Sequence, residues 1–214
     1  MEPIFSLQNI HFSYGNAPLL RGVSLALGME ECIGIIGDNG SGKSTLLHIG
    51  AGLLSPASGT VLFRGEVCTS ENDFARLRRG LGYLLQSAAD MLFCPTVLED
   101  VAFGPANYGA TDEEAGEKAR EILERLGLSH LAARNAHTLS GGEQKLVALA
   151  AVLATDPHFL FLDEPTNELD SHARVMLVSI LQQVALPCLI VSHDRAFVEE
   201  VCNTVFRMEN GLLA

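Results

Sequence analysis

The octet GDNGSGKS at residues 37–44 constrains the fold of this chain more than any other stretch. It runs out of the apolar segment CIGIIG (32–37) and into STLLHIGAGL, so the pattern G-x-x-x-x-G-K-[ST] falls where a buried strand feeds a helix. Glycines there let successive backbone N–H groups wrap phosphate oxygens, and the helix N-terminus adds partial positive charge. The residues expected to hold the phosphates of ATP are Gly37, Asp38, Asn39, Gly40, Ser41, Gly42, Lys43, Ser44 and Thr45. Lys43 would neutralise the β and γ phosphates, and the Ser44 hydroxyl would face a magnesium ion.

The rest of the pattern fits an α/β layer around that loop. Residues 4–12 and 21–27 alternate apolar and polar side chains as half-buried strands do, with YGNAP as a turn near their junction. GTVLFRG and LGYLLQ read as strands flanking the helical ENDFARLRR. TDEEAGEKAREILERLGL (111–128) predicts a helix capped by Thr111, with Ala115, Ala119, Ile122, Leu123 and Leu126 on one face. A largely buried helix is expected from Ser140 to Ala154, then strands at 158–163 and in PCLIVSHD separated by the helix SHARVMLVSILQQVA. RAFVEEVC and NTVFRM complete the chain as a helix and a strand. Such alternation implies a mostly parallel sheet whose ligands lie at the carboxyl ends of the strands.

FLFLDE (159–164) supplies a second cluster at such an end: an apolar strand with two adjacent acids at its tip. Asp163 is expected to hold magnesium through water, and Glu164 to draw a proton from an attacking water as general base. Two acids with separate tasks suit hydrolysis better than binding alone.

Composition narrows the partners. The formal net charge is −12, opposite in sign to the basic surface with which proteins displace counterions from nucleic acid, so extended DNA or RNA is not expected. Arg76, Arg78 and Arg79 read as the solvated charges of an amphipathic helix. The longest apolar run, VALAAVLA at 147–154, is far short of the ~20 residues that cross a bilayer. MEPIFSLQNIHF shows no basic start, apolar h-region and cleavage site, so no secretory routing is expected, and Cys32, Cys68, Cys94, Cys188 and Cys202 are scattered in a way that suggests reduced thiols or small buried side chains.

LSGGE at 139–143 precedes the acidic strand and opens a helix. Together with Lys43, Gln86, Asp163, Glu164 and SHD at 192–194, it makes the chain resemble, over nearly its whole length, the ATPase subunit of ATP-binding cassette (ABC) systems. The resemblance implies a RecA-like P-loop NTPase core with a mostly parallel sheet, an N-terminal antiparallel β subdomain and an inserted helical subdomain. It implies one ABC ATPase domain over 1–214, with the helical insert near 87–155.

The same resemblance implies roles. Tyr14 would stack on adenine, and Gln86 would reach magnesium and the attacking water while sensing a membrane partner. Leu139, Ser140, Gly141, Gly142 and Glu143 would contact the γ-phosphate held by an opposite subunit. Asp170 lies in the loop expected to cross the dimer interface, and His193 would contact the γ-phosphate and hold the catalytic geometry. The site residues Ser44, Gln86 and Asp163 are those expected around Mg2+. A second ABC ATPase subunit, either another copy or a related chain, is therefore an implied partner. Two departures stand out: Glu143 where glutamine is commonest, and Leu146 where a basic residue is frequent, with Lys145 beside it as a substitute cation.

Behind Gln86, the run MLFCPTVLEDVAFGPANYG resembles the ATPases of energy-coupling factor importers, notably those for cobalt and nickel. The match covers Leu92, Phe93, Pro95, Thr96, Val97, and Glu99 through Pro105, whereas SAADM just after Gln86 departs from it. An integral membrane transporter subunit is implied as partner, with Phe93 and Pro95 as apolar surface and Glu99 and Asp100 as a charged rim. The implied location is peripheral, at the cytoplasmic face of the cell membrane. The chain closes at NGLLA soon after its last expected strand, so no regulatory C-terminal extension is expected. A soluble ABC ATPase acting on nucleic acid, ribosomes or cofactor assembly is the competing expectation; a P-loop kinase leaves LSGGE unexplained.

Overall fold

The computed structural model describes residues 2–214. The chain divides into two compact units, the first built from residues up to 81, 158–164 and 185–214, the second from 82–157 and 165–184. The expected helical insert at 87–155 thus lies within the second unit, which also takes in 165–184.

The first unit holds two sheets. β1 (Phe5–Tyr14) and β2 (Ala17–Leu27) pair antiparallel, and β1 also pairs antiparallel with β4 (Ser58–Phe63). β5 (Glu66–Cys68) closes this sheet in the order β2-β1-β4-β5. The alternation read in residues 4–12 is interrupted by register shifts between Leu7 and His11, where Asn9 adopts φ 51°.

In the second sheet, β3 (Cys32–Ile36) lies between β8 (Cys188–Ser192) and β9 (Thr204–Glu209), parallel to both. β7 (Phe159–Asp163) pairs parallel with β8, and β10 (Leu212–Leu213) folds back on β9. All residues of β7 and β8 are buried, which is why both read as continuous apolar runs rather than alternating ones. Phe159 stacks on Phe5 at a ring-centroid distance of 5.8 Å, and Phe161 meets Phe5 edge-on at 5.1 Å. Each such fully buried phenylalanine contributes about 1.5–3 kcal/mol.

Three helices complete this unit: α1 (Lys43–Gly50), α2 (Glu71–Gly80) and α7 (Arg195–Val201). Arg76 and Arg78 pair with Glu66 and Glu71, in keeping with solvated charges on an amphipathic helix. The cysteines correct the reading of scattered thiols. Cys32 and Cys188 are register partners on neighbouring strands and form a disulfide, with Cys202 Sγ 3.5 Å from Cys32 Sγ. Their separation of 156 residues hid this from any local spacing rule.

The second unit is mainly helical. β6 (Leu81–Leu84) leads into it, followed by α3 (Val97–Asn107), α4 (Asp112–Arg125), α5 (Gly141–Leu153) and α6 (Ser171–Val184). α5 packs against α3, α4 and α6, so nine of its thirteen residues are buried, as its apolar run implied. α4 keeps the expected face: Ala115, Ala119, Ile122, Leu123 and Leu126 are all buried, and Thr111 caps it in a box with Glu114.

α3 is the difference. With a Phe-Cys-Pro turn and two acids among apolar residues, the run from 84 to 105 reads as neither a clean strand nor a clean helix, yet Val97–Asn107 is helical, with Gly104 and Pro105 in its last turn. The helix is started by a capping box of Thr96 and Glu99. Among the described residues no helix is long and apolar enough to cross a membrane.

Candidate functional site

The glycine loop between β3 and α1 is shaped for an anion. Gly42 caps α1 at φ 107°, a conformation that strains any residue with a Cβ, and a Cβ there would also meet Leu20 Cδ2 at 2.9 Å. Lys43 follows at 5% exposure, and its ammonium donates to the carbonyls of Gly37 (2.7 Å) and Asp38 (3.1 Å). Burying a cation this deeply requires such acceptors, and phosphate oxygens can take their place.

The acid pair at the end of β7 closes the other side. Ser44 Oγ donates to Asp163 Oδ1 at 2.9 Å. Burial pushes the Asp163 carboxyl above its ordinary value, and the charge of Glu164 adds to the rise, while Ser44, His48 and Lys43 pull it back. A hydroxyl and a carboxylate oxygen this close suit a divalent cation, which lowers the carboxyl that burial raises. The residues present therefore fit magnesium.

Glu164 adopts φ 45°, in the left-handed region that non-glycine residues seldom occupy, at only 4% exposure. Its backbone N–H donates to Val191 O across from β8. Its Oε1 lies 3.5 Å from Lys43 Nζ. Its Oε2 accepts from Ser192 Oγ and from the His193 backbone N–H, both at 3.1 Å. His193 Nδ1 is 2.8 Å from the same oxygen, so against a carboxylate that nitrogen carries the proton and Nε2 is left to face outward.

The chain thus brings Lys43, Ser44, Asp163, Glu164 and His193 together in its first unit. Ser192 was missed as a separate contributor, although it lies inside the SHD run: it both holds Glu164 and accepts from Asp194 N. His48, one turn along α1, was also unforeseen. Tyr14 stands at the end of β1, 58% exposed, with its ring edge-on to Phe12.

In the second unit, Ser140 is the exposed N-cap of α5, and its hydroxyl accepts from the Glu143 N–H. Glu143 completes the box: its Oε2 accepts from Ser140 N (2.8 Å) and Oγ (2.9 Å). Those bonds, from the Ser140 N–H and hydroxyl, hold the Glu143 carboxyl below its ordinary value, with Arg134 a smaller influence in the same direction. Gly142 admits α6: a Cβ at this position would come within 2.9 Å of Ala173 Cβ. Asp170 is exposed and its carboxylate caps α6 through the Ala173 N–H. Leu146 is an ordinary core residue at 2% exposure, and the neighbouring Lys145 is buried.

Gln86 is exposed just beyond β6. Phe93 is 59% exposed and edge-on to the exposed Phe103, with Pro95 exposed nearby. The charged rim needs correction. Asp100 is 4% exposed, and its Oδ1 accepts from the Phe93 and Cys94 N–H groups, both at 2.8 Å. It faces inward because it lies on the same side of α3 as the buried Val97 and Val101. Glu99 is exposed, but its carboxylate already serves the Thr96 cap.

A phosphate-wrapping loop, a buried lysine and a strand-end acid pair braced by a histidine define a P-loop nucleotide hydrolase. The family model for ABC transporters matches residues 20–167. The chain belongs to the ABC transporter family and is an ATP hydrolase of the transport type.

It is 50% identical over 214 residues to a Nitratidesulfovibrio vulgaris protein named as an ABC transporter ATP-binding protein, covering 99% of this chain and 78% of that one. It is 39% identical over 216 residues to the energy-coupling factor transporter ATP-binding protein EcfA of Methanothermobacter thermautotrophicus, covering 98% and 69%. Among solved structures it resembles cbiO1 from Clostridium perfringens, described as part of the ABC transporter complex cbiONQ. The TM-score is 0.89 at 32% identity, over 100% of this chain and 88% of that one.

Proposed function

We propose that this chain is the ATP-hydrolysing subunit of an energy-coupling factor importer. It pairs with a second ABC ATPase subunit and an integral membrane transporter subunit at the cytoplasmic membrane face, and drives uptake of a transition-metal ion such as cobalt or nickel, or of a vitamin. The observation that carries this reading is the apolar surface at Phe93, Pro95 and Phe103, exposed in a segment whose sequence resembles that of energy-coupling factor ATPases. The EcfA relative and the cbiO1 neighbour support the same assignment.

Hydrolysis follows from the contacts around Glu164. When ATP enters, its phosphates replace the Gly37 and Asp38 carbonyls on Lys43 and draw that ammonium from Glu164. Glu164 is left held by Ser192 and His193, free on its Oε1 side to accept a proton from water. The water oxygen forms a bond to the γ-phosphorus as the bond from that phosphorus to the bridging oxygen breaks, and ADP leaves with the electron pair. His193 fixes the carboxylate and turns Nε2 toward the γ-phosphate. Ser44 and Asp163 would hold magnesium, which would supply charge neutralisation for the phosphates. Ser140, Gly141 and Gly142 of a second subunit present a helix N-terminus to the γ-phosphate, so ATP joins the pair, and loss of the γ-phosphate reopens it.

The test is purification from membranes. Protein that hydrolyses MgATP and co-purifies with an integral membrane protein is the expected result. Assembly only into a soluble complex, or salt-dependent affinity for RNA or DNA, would sink the transport assignment.

A further inference from the structure

Lys145 lies on α5 five residues after Ser140, and it is 1% exposed. An ammonium at that depth costs several kcal/mol in lost hydration unless its protons find acceptors. Here they reach the backbone carbonyls of Leu85 (3.3 Å) and Gln86 (2.5 Å). Residues 85–88 follow the end of β6 and belong to neither strand nor helix, so no ladder takes up these carbonyls. Leu85 N donates to Met91 Sδ at 3.4 Å, a weak bond beside the two that the Lys145 ammonium makes to Leu85 and Gln86. On the preceding residue of the helix, Gln144 Nε2 donates to Ala136 O at 2.9 Å, so the opening of α5 is anchored on both sides.

The bond runs to the backbone of Gln86, whose own side chain stays exposed. Lys145 therefore occupies none of the groups that Gln86 would use on a ligand, but it determines where that side chain starts. It does so from the helix that Ser140 caps, and a cation among carbonyls holds geometry more tightly than a neutral donor would.

We infer that Lys145 is a positioning residue for ATP hydrolysis, holding the Gln86 backbone in register with the helix that begins at Ser140. The inference rests on the reading of Gln86 and Ser140 given above. Displacement of a reacting group by about 1 Å costs about a hundredfold in rate, whereas the phosphate loop that binds ATP belongs to the other unit. Loss of Lys145 then lowers kcat and leaves the KM for ATP alone.

The experiment is a double-mutant cycle on the purified full chain with Lys145→Met, Gln86→Ala and the pair. Lys145→Met is expected to lower kcat by about tenfold or more with KM for ATP within about twofold, and to add nothing once Gln86 is alanine. Amide exchange at residues 84–88 is expected to quicken in the same variant. If Lys145→Met does not fold, Lys145→Gln, shorter by one atom and still a donor, takes its place in the cycle. A wild-type kcat, or a loss that adds in full to that of Gln86→Ala, would overturn the inference while leaving the role of Gln86 intact. A wild-type rate for Gln86→Ala itself would overturn that role, and the inference with it.

Discussion

Glu164→Gln removes one charge from a buried pair and keeps the shape. The Lys43 and Glu164 side chains are 5% and 6% exposed, and their charged atoms stand 3.5 Å apart. At an effective dielectric of about 20 the gross attraction is about 5 kcal/mol, and breaking a buried pair from one side costs about 3–5 kcal/mol. The lower end applies, because Lys43 keeps the Gly37 and Asp38 carbonyls and the glutamine oxygen can still accept from Ser192 and His193. Without nucleotide the variant should lose about 3 kcal/mol of stability.

With ATP the penalty should shrink, because Lys43 turns to the phosphates in either protein. If about 2 kcal/mol is recovered, the variant binds ATP about thirtyfold more tightly. Loss of the general base should lower kcat by about 10²–10⁴-fold. Denaturant unfolding and calorimetric titration with ATP measure both sides of this linkage. An equal stability loss with and without ATP, unchanged affinity, or a kcat within tenfold of wild type would refute the competition between Glu164 and phosphate for Lys43.

Three further outcomes follow. Glu143→Gln keeps an acceptor for the Ser140 N–H but removes a negative charge from a helix N-terminus, worth about 0.3–1 kcal/mol, so the ATP concentration that half-dimerises a Glu164→Gln background should fall about two- to fivefold; light scattering against ATP checks it. Asp100→Ala leaves the Phe93 and Cys94 N–H groups without their buried acceptor and should cost about 1–3 kcal/mol in urea unfolding, with faster exchange at those amides. Asp73 is held at about 2 by the hydroxyl and N–H of Ser70 and the N–H of Thr69. A lowered carboxyl stabilises the fold above its unfolded value near 3.8 and loses that contribution as pH falls toward about 2. Asp73→Asn should therefore flatten the pH dependence of stability between those limits, and chemical denaturation at pH 5, 4 and 3 reports it.

The nucleotide site was legible because its chemistry is written locally. GDNGSGKS and FLFLDE each join an apolar strand to polar residues at its tip, and the parallel sheet brings those tips together. Contacts that depend on tertiary neighbours were not legible. Lys145 reads as a substitute cation beside Leu146 until the fold buries it against the Gln86 backbone, and Cys32 and Cys188 become partners only when β3 and β8 align. Asp100 follows Glu99 in the chain, but the 100° step between helical residues turns one inward and leaves the other outside. α3 could have been found. Thr96 and Glu99 are the capping-box signature, and Gly104 and Pro105 lie only at the helix end.

On the proposed function, the exposed ring pair of Phe93 and Phe103 meets a membrane subunit. The most direct test of that contact is a photo-crosslinking amino acid placed at position 93 in living cells, followed by identification of what it captures. An integral membrane protein is the expected capture, with a crosslinking yield that changes when Glu164→Gln holds ATP in place. Crosslinks confined to soluble proteins or ribosomal components would contradict the proposed contact.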